Sequence, residues 1–465
     1  MNMINVRRLT VMTFLGASML SGISAQVSPL QVDTLKETKI PDQWDLQSCI
    51  DYAKEQNITI RKNRITAAST QIDVKTAKAA MFPSLSFSTG QQVVNRPYQE
   101  TSSRVSGSEI ISSNSKTSYN GNYGLNASWT LYNGNKRLKT IQQEKLNNQM
   151  AELDVATSEN NIQESITQVY IQILYAAESV KVNENTLQVS IAQRDRGQEL
   201  LNAGSIAKSD LAQLEAQVST DRYQLVTAQA TLEDYKLQLK QLLELDGENE
   251  MNIYLPALSD ENVLAPLPTK RDVYISALSL RPEIEASKLN VEASELGINI
   301  AKSSYFPTIS LSAGIGTNHT SGSDFTFGEQ VKNGWNNSIG LSVSVPIFNN
   351  RQTKSAVQKA KLQYETSMLS LLDEQKALYK TIESLWLDAN SAQQRYAAAN
   401  EKLKSTQISY ELISEQFNLG MKNTIELLTE KNNLLQAQQE QLQAKYMAIL
   451  NMQLLKFYQG DQLAI

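Results

Sequence analysis

The side chains that most often carry catalytic or metal chemistry are scarce in this chain. Its 465 residues include one cysteine, Cys49, and one histidine, His319. One cysteine excludes an internal disulfide or a multi-cysteine metal site, and one histidine argues against a histidine-based metal site or relay. Cys49 shares a helical apolar face with Leu46, Ile50 and Ala53, which indicates a buried thiol. His319 lies in a Ser- and Gly-rich segment and is expected to be a solvated loop residue.

Carboxylates at two similar turns are the remaining candidates for a functional site. The shared pattern is Asn-x-Gly-x5-Asp/Glu-Leu, found as Asn202, Gly204, Asp210 and Leu211 and again as Asn418, Gly420, Glu426 and Leu427. The glycine and the carboxylate of this pattern also have a structural explanation. Glycine suits the positive φ that ends a helix, and a carboxylate is favourable at the N-terminus of the next helix. No motif supports a carboxylate-based hydrolase. On composition alone, carboxylate or Ser/Lys chemistry stays open.

The charge balance and the N-terminus restrict the compartment. Lys and Arg number 43 against 48 Asp and Glu, which argues against nucleic acid as a partner. Residues 1–25 resemble a signal peptide, with Arg7 and Arg8 before a short apolar run and Ser24-Ala25 at a small-residue cleavage site, and 26–41 would form an N-terminal tail. No later segment approaches the ~18–20 uninterrupted apolar residues of a membrane helix. We expect an exported protein without one.

Long segments free of glycine and proline must position the two turns. These segments are 42–82, 138–196, 205–246, 352–419 and 421–459. Apolar residues recur in them with a 3.5-residue period, which predicts left-handed coiled-coil packing. The helix expected at about 136–203 would be roughly 100 Å long at ~1.5 Å per residue, far longer than a compact core uses. A helix at about 43–80, or 282–304, is expected to stack end to end on the shorter partner of each long helix.

The chain consists of two similar repeats. Phe82-Pro83 recurs as Phe306-Pro307, an offset of 224, whereas the two turns are offset by 216. The offset falls by eight between Pro83 and Leu131, so a surface loop is expected there. The predicted divisions are a first repeat (42–247, long helices about 136–203 and 206–245), a linker (248–270), a second repeat (271–460, long helices about 351–419 and 423–458) and a tail (461–465).

Between the helices, apolar and small polar residues alternate with period two. The predicted strands are about 84–92, 119–131, 308–316 and 335–347. Their polar positions are uncharged, long loops at 91–118 and 317–334 link them, and aromatic residues lie near their ends at Trp129, Tyr132, Trp335 and Phe348. This pattern is typical of membrane-spanning strands with aromatic residues at the interfaces. The alternative is two surface hairpins on a soluble core.

The number of strands then requires assembly. Four strands cannot close a barrel, and open sheet edges are not tolerated in hydrocarbon. The smallest membrane barrels have about eight strands, so each chain would contribute four strands to a shared barrel. Counting alone allows eight strands from a dimer or twelve from a trimer.

These features resemble the TolC family of bacterial outer-membrane factors across essentially all of the mature chain. The residues that carry the resemblance are the opening helix Trp44–Ala53 followed by Asn57 and Ile60, the Phe-Pro before each first strand, Leu-Tyr-Asn-Gly and Ile-Phe-Asn-Asn before the long helices, and the two Asn-x-Gly turns. The resemblance implies a mainly α fold with membrane β: long antiparallel coiled-coil helices plus four transmembrane strands per chain, completing a shared barrel and helical tunnel as a homotrimer.

The resemblance also implies a function without catalytic residues or a cofactor, which agrees with the single histidine and cysteine, and we expect no metal site. The protein would be the outer-membrane exit duct of a tripartite efflux pump or type I secretion system, with its helices in the periplasm. Its partners would be a periplasmic adaptor, an inner-membrane RND or ABC transporter and outer-membrane lipid. The adaptor would dock on the turns, at Leu201–Leu211 and Phe417–Leu427. The exported substrate stays open.

By the same resemblance, the turns form a periplasmic gate. Lys422 occupies the basic link position, Asp210 and Ser209 the partner positions, and Glu426 the first ring carboxylate. Thr429 stands where a second ring carboxylate is expected. A different class of protein, a soluble periplasmic coiled-coil adaptor with a β-rich lipoyl-like domain, is the alternative. Paired strand segments placed between helices argue against that alternative.

Overall fold

The computed structural model describes residues 41–98, 116–246, 251–256, 263–321, 323 and 325–463, together with the strands Ser102–Ser106 and Glu109–Ser113. The expected signal peptide at 1–25 and the tail as far as residue 40 lie outside the described residues. Within the described ranges, no helix is both long and apolar enough to cross a membrane.

The described elements fall into two sets with matching bounds. The first repeat contains α1 (Leu46–Gln56), α2 (Ile58–Ala79), β1 (Ser84–Asn95), β2 (Ser102–Ser106), β3 (Glu109–Ser113), β4 (Thr117–Asn133), α3 (Lys136–Asn202) and α4 (Lys208–Leu242). The second contains α5 (Lys270–Leu280), α6 (Pro282–Ser303), β5 (Thr308–Thr320), α7 (Phe327–Asn333), β6 (Asn336–Ser344), α8 (Gln352–Asn418) and α9 (Thr424–Gln459). Helices α1 and α2 reappear 224 residues on as α5 and α6, and α3 reappears 216 residues on as α8.

The sheet shows the same duplication in its hydrogen-bonding register. Its strand order is β1-β4-β5-β6, and neighbouring strands are antiparallel. Ser84 pairs with Ser128 in the first hairpin. Their counterparts by the offsets 224 and 216, Thr308 and Ser344, pair in the second. The two offsets found in the sequence therefore describe real structural equivalence.

The helix expected at 43–80 is two helices, so that expectation was wrong. Helix α1 ends at Gln56 and α2 begins at Ile58, because Asn57 has extended backbone (φ −60°, ψ 128°) and its side chain accepts the Thr59 and Ile60 N–H groups. Asparagine is among the best N-cap residues, so a break needs neither glycine nor proline. The counterpart break lies at Arg281, where Pro282 opens α6.

End-to-end stacking of α2 on α4 is present in the first repeat. The Asn57 side-chain amide donates to the Leu242 carbonyl (3.1 Å), and the Ile58 N–H donates to the Glu244 carboxylate (3.3 Å). These contacts satisfy polar groups at the ends of both helices, which would otherwise lack partners. Helices α2 and α4 together thus run alongside the 67-residue helix α3.

Two large hydrophobic clusters, and a smaller one between α8, α9 and the linker, hold the helices together at mid-length. The first joins α1, α3, α4 and α9 through Ile50, Tyr170, Leu239 and Leu454. The second joins α5, α6, α8 and α9 through buried residues such as Val273, Ile284, Ile382 and Leu455. The linker is fastened to this region: Trp44 pairs with the backbone around Ile253, and the Trp386 and Gln393 side chains donate to carbonyls of residues 263–268.

The segments expected as loops at 91–118 and 317–334 contain regular structure. β1 extends to Asn95, and a two-stranded ribbon of β2 and β3 precedes β4. In the second repeat β5 extends to Thr320, and the short helix α7 follows, opened by a reciprocal Thr326–Glu329 cap. Strand β6 ends at Ser344 rather than near 347, since Pro346 has no N–H to donate to a ladder.

Candidate functional site

Apolar residues of all four paired strands lie on one face of the sheet. Because antiparallel partners share a face, the registers place Leu85, Ala127, Ala313 and Ile339 in one row. Phe87, Leu125 and Ile315 form the next apolar row, and rows of serine, asparagine and glycine alternate with these on the other face. Leu85 is 70% exposed and Ile339 is 82% exposed. A contiguous apolar surface of this kind marks an interaction site rather than a solvated face.

The four aromatic residues assigned to membrane interfaces lie near strand ends. Trp129 and Tyr132 are on the part of β4 next to α3, and Phe348, which is 84% exposed, follows β6 at the same end. Trp335 precedes β6 at the opposite end of the sheet and is 58% exposed. The Trp129 indole N–H donates to the Met81 carbonyl (2.7 Å), so this ring is fixed by the Phe-Pro segment.

The two turns at the far ends of the long helices have the same backbone geometry. Gly204 and Gly420 both have φ +74°. After each glycine the chain closes back on the helix: the Ser205 N–H donates to the Leu200 carbonyl (2.8 Å), and the Met421 N–H donates to the Gln416 carbonyl (2.8 Å). This is the Schellman arrangement, which places a residue with positive φ just beyond a helix. Asn202 and Asn418 are the last residues of α3 and α8.

In the first turn, the acidic residue is used to begin a helix. The Asp210 carboxylate accepts the Ala207 N–H (3.0 Å), which caps α4. Ser209 is exposed beside it, and Leu211 is buried against the turn. Within one chain and among the described residues, Asp210 and Lys422 share no ion pair.

In the second turn, the basic and acidic candidates are joined to each other. Lys422 Nζ lies 2.6 Å from Glu426 Oε1. Glu426 and Asn423 also cap α9 reciprocally, since the Asn423 N–H donates to the carboxylate and the Glu426 N–H donates to the Asn423 side chain. The Lys422 ammonium and the Asn423 N–H hold the pKa of the exposed Glu426 carboxyl below its usual value. Thr429 donates its hydroxyl to the Ile425 carbonyl.

Apolar residues are exposed at the second turn and replaced by small residues at the first. Leu419, Met421 and Ile425 are 70%, 71% and 62% exposed. Their counterparts in the first turn, 216 residues earlier, are Ala203, Ser205 and Ser209. The second turn therefore offers most of the apolar contact surface at this end of the molecule.

A buried charged cluster above the turns was missed in the sequence. The Lys431 ammonium on α9 contacts the Asp221 carboxylate on α4 and the Ser190 hydroxyl on α3, and all three residues are at most 3% exposed. The Gln217 amide also donates to Asp221 (2.9 Å). Burial lowers the pKa of Lys431, and the Asp221 carboxylate opposes that shift. The cluster ties the second repeat to the first.

One sequence signal could have identified this cluster. Asp221 follows Leu211, Leu214 and Val218 at heptad spacing, so a carboxylate occupies a position of the apolar seam. A charged residue at such a position is seldom buried without a partner.

The single cysteine and histidine have different surroundings. Cys49 is fully buried, as predicted, and burial raises the pKa of its thiol to about 12. His319 is half-buried rather than a solvated loop residue, because it lies within β5, one residue before its end. Its ring lies flat on Tyr123 (6.0 Å between ring centroids) and meets the edge of Phe327 (5.0 Å). No group of three metal-ligating side chains occurs among the described residues.

Comparisons with known proteins agree with this architecture. The outer membrane efflux protein family matches residues 49–244 and 273–460, which correspond to the two repeats. The outer membrane efflux protein BepC of Brucella suis is 24% identical over 295 residues, covering 63% of this chain and 62% of BepC. The outer membrane protein TolC of Escherichia coli K12 is 24% identical over 291 residues, covering 61% and 58%. The match thus spans about three-fifths of these relatives.

Solved structures share the fold. The crystal structure of CusC superposes with a TM-score of 0.75 at 18% identity, covering 90% of this chain and 92% of CusC. The outer membrane protein VceC of Vibrio cholerae gives a TM-score of 0.72 at 15% identity, covering 90% and 97%. The predicted fold class, long antiparallel helices with a four-stranded membrane-type sheet, is confirmed. With both repeats matched by the family, this chain belongs to the outer membrane efflux proteins.

Proposed function

We propose that this protein is the outer-membrane exit duct of a tripartite efflux pump or a type I secretion system. It conducts its substrate passively and performs no catalysis. The family is one of efflux channels rather than enzymes. The apolar face of the sheet sits in lipid, and the helices extend from it into the periplasm as the wall of a tunnel.

The observation that carries this proposal is the exposed apolar sheet with open edges. Strands β1 and β6 each have one partner in the chain, so one edge of each remains unpaired among the described strands. Hydrocarbon does not tolerate unpaired backbone groups. A lipid-facing sheet of this kind is therefore completed by other copies of the chain. The proposed assembly is a homotrimer with twelve strands, in line with the resemblance to TolC.

The turns are proposed as the periplasmic end of the duct. A periplasmic adaptor docks there, on a surface that includes Leu201–Leu211 and Phe417–Leu427, and an inner-membrane RND or ABC transporter supplies the energy. Relatives bear names from drug, toxin, protease and cation export, such as the alkaline protease secretion protein AprF of Pseudomonas aeruginosa. The class of exported substrate is therefore expected to depend on the transporter.

The gate is proposed to involve Lys422 and Asp210 across neighbouring copies. Within one chain Lys422 is paired with Glu426 and Asp210 caps α4. Both side chains are at the mouth, where a lysine can exchange one carboxylate for another at little cost, because exposed ion pairs contribute about 0–1 kcal/mol each.

Conductance in planar bilayers tests the duct and its gate. Purified protein reconstituted from detergent is expected to form channels that remain mostly closed. A Lys422→Ala, Asp210→Ala double variant should raise the conductance, whereas Lys404→Ala, which changes an exposed lysine farther up α8, should not. Equal conductance of the double variant and the native protein would refute the gate assignment.

The duct itself is tested by extraction from cells. The exposed apolar face requires detergent for release of the protein from the outer-membrane fraction. Release by salt or osmotic shock alone, together with absence of any conductance, would favour the soluble periplasmic adaptor-like alternative.

A further inference from the structure

We propose that helix α7 and the aromatic residues around it form a contact site for the anionic headgroups of outer-leaflet lipid. The site lies at the end of the sheet opposite the long helices, on the side that carries the apolar rows. The inference rests on the proposed membrane orientation of the sheet. Its new content is the side of the wall on which α7 lies and the residues through which it meets lipid.

The side chains beneath α7 belong to the apolar face of the sheet. Residues two apart in a strand point to the same face. Thr317 and His319 follow Ile315 on β5 at this spacing, so all three share the apolar face. The Thr317 hydroxyl donates to the Val331 carbonyl of α7 (2.8 Å). Helix α7 is therefore seated on the side assigned to lipid and not on the side rich in serine and asparagine.

A stack of three rings fixes α7 in this position. The His319 ring lies between Tyr123 of β4 and Phe327 of α7 and contacts both. Gly121 is the partner of His319 in the strand register, and a Cβ at Gly121 would collide with the imidazole. The glycine thus leaves room for the ring to lie flat against β4, where it can meet the helix.

The level of α7 is also where the residue types of the apolar face change. Ile315 and Leu125 pair in the last aliphatic row. In the next row outward Tyr123 pairs with Thr317, and Trp335, directly before β6, lies at the same level. Aromatic side chains collect at the boundary between hydrocarbon and water, where one part of the ring is apolar and the other hydrated. Helix α7 therefore lies at the level of the headgroups.

The outward surface around α7 combines apolar rings with a cation. Phe325 and Phe327 are 58% and 43% exposed. Lys332 is exposed and has no ion pair among the described residues. The nearby acid, Glu329, is used to begin the helix, since its carboxylate accepts the Thr326 N–H and hydroxyl (both 2.8 Å). Rings that enter the acyl boundary and an ammonium above them are the combination that binds an anionic lipid surface.

Depth-dependent fluorescence quenching tests whether α7 meets lipid. A bimane label is attached at Lys332→Cys, and the full chain is reconstituted into vesicles of equal parts phosphatidylcholine and phosphatidylglycerol. The vesicles carry a nitroxide either at the headgroup or deep in the acyl chain. The headgroup nitroxide should remove most of the emission, and the deep nitroxide should remove little. Native Cys49 stays unlabelled, because it is fully buried and the pKa of its thiol is raised to about 12.

Two neighbouring residues of β6 provide matched controls, because they point to opposite faces of the sheet. A label at Ile339→Cys, on the apolar face, should be quenched by the deep nitroxide, and a label at Ser338→Cys by neither. Quenching at position 332 as weak as at Ser338 would overturn the inference. If the label at Ile339 is also unquenched, the sheet does not lie in lipid, and the proposed function itself fails.

The ring stack is tested separately. Gly121→Ala displaces the His319 ring, so α7 should detach and headgroup quenching at position 332 should be lost. Phe327→Ala removes a ring without changing a strand, and it should give the same loss if Gly121→Ala does not fold. Gly328→Ala is the control, because it adds a methyl group to α7 itself in open space. Native-like quenching in both folded variants would show that the stack does not hold α7.

The charge preference is tested with a label beside the native lysine. At Asn333→Cys, phosphatidylglycerol that carries a headgroup nitroxide should quench more strongly than phosphatidylcholine that carries the same group. Lys332→Gln should abolish this preference, and added salt should weaken it, because exposed charges are screened. Equal quenching by the two lipids with Lys332 in place would overturn the assignment to anionic headgroups.

Discussion

The two repeats share a geometry but differ in buried charge at equivalent positions. Where the second repeat meets the first, Lys431 is enclosed by Asp221 and Ser190. The equivalent positions, one repeat away, are Glu215, Ala437 and Thr406, and Glu215 is exposed in the single chain. Breaking a buried ion pair leaves an uncompensated charge, at a cost of about 3–5 kcal/mol. The two halves of one chain are therefore fixed to each other by a buried charge that the equivalent positions lack.

Removing one partner of the buried pair gives the largest expected effect. Lys431→Met should lower the free energy of unfolding by about 3–5 kcal/mol, because Asp221 is left buried without its cation. The double variant Lys431→Met, Asp221→Leu should recover most of this loss, since both charges are then gone. The measurement is a thermal unfolding curve at fixed protein concentration, monitored by the circular dichroism signal of the helices.

The equivalent residue of the first repeat, Glu215, provides the control for this experiment. Glu215→Met should change stability by less than about 0.5 kcal/mol, as is usual for a surface site. A loss from Glu215→Met as large as that from Lys431→Met would show that both positions carry a stabilising charge, contrary to the comparison.

The two turn glycines are expected to behave alike, with a smaller effect. Gly204 and Gly420 share φ +74°, which costs an L-residue roughly 1–2 kcal/mol, and no atom blocks an added Cβ at either. Gly204→Ala and Gly420→Ala should therefore destabilise the two helix ends equally. Amide exchange at Ser205 and Met421 would report this, and Gly328→Ala, at negative φ with open space, is the control. Unequal exchange would mean that the turns are not equivalent.

The smallest expected effect is that of acid on the second turn, through Glu426. The pKa of Glu426 is lowered in the folded protein, so its contribution to stability is present above its unfolded pKa and is lost as the pH falls through the lower, folded value. Fraying of α9 at its Asn423–Glu426 cap should increase as the pH drops below the ordinary pKa of glutamate, about 4.3, and Glu426→Gln should remove this dependence. Protection of the Asn423 amide, measured relative to its intrinsic exchange rate at each pH, that stays unchanged across that range would contradict it.

Most of the architecture was predictable because it is repeated. Glycine and proline mark where the long helices end, the heptads specify how they pack, and two offsets, 224 and 216, relate the repeats. The break at Asn57 was missed because the prediction looked for glycine or proline, whereas an asparagine cap with extended backbone ends α1 equally well. The bounds of the repeats follow from local residue types; this break follows from a side-chain hydrogen bond.

The candidate site was less predictable for a different reason. The buried Lys431 cluster joins residues 241 and 210 positions apart, so no local pattern links them. The partner of Lys422 depends on which carboxylate is nearest, and the single chain pairs it with Glu426. The proposed contacts between copies, including that of Lys422 with Asp210, stay predictions, because local sequence patterns do not specify how separate chains meet.

The shared register of the two hairpins has a consequence for how the sequence of this protein can evolve. The segment between β1 and β4 holds a ribbon, and the segment between β5 and β6 holds a helix, yet the strands below pair in the same register. The eight-residue difference is absorbed entirely beyond the strand ends. The edge of the sheet at which these two connections lie thus tolerates unrelated insertions. The connections can diverge in length and shape while the pairing of the strands stays constant.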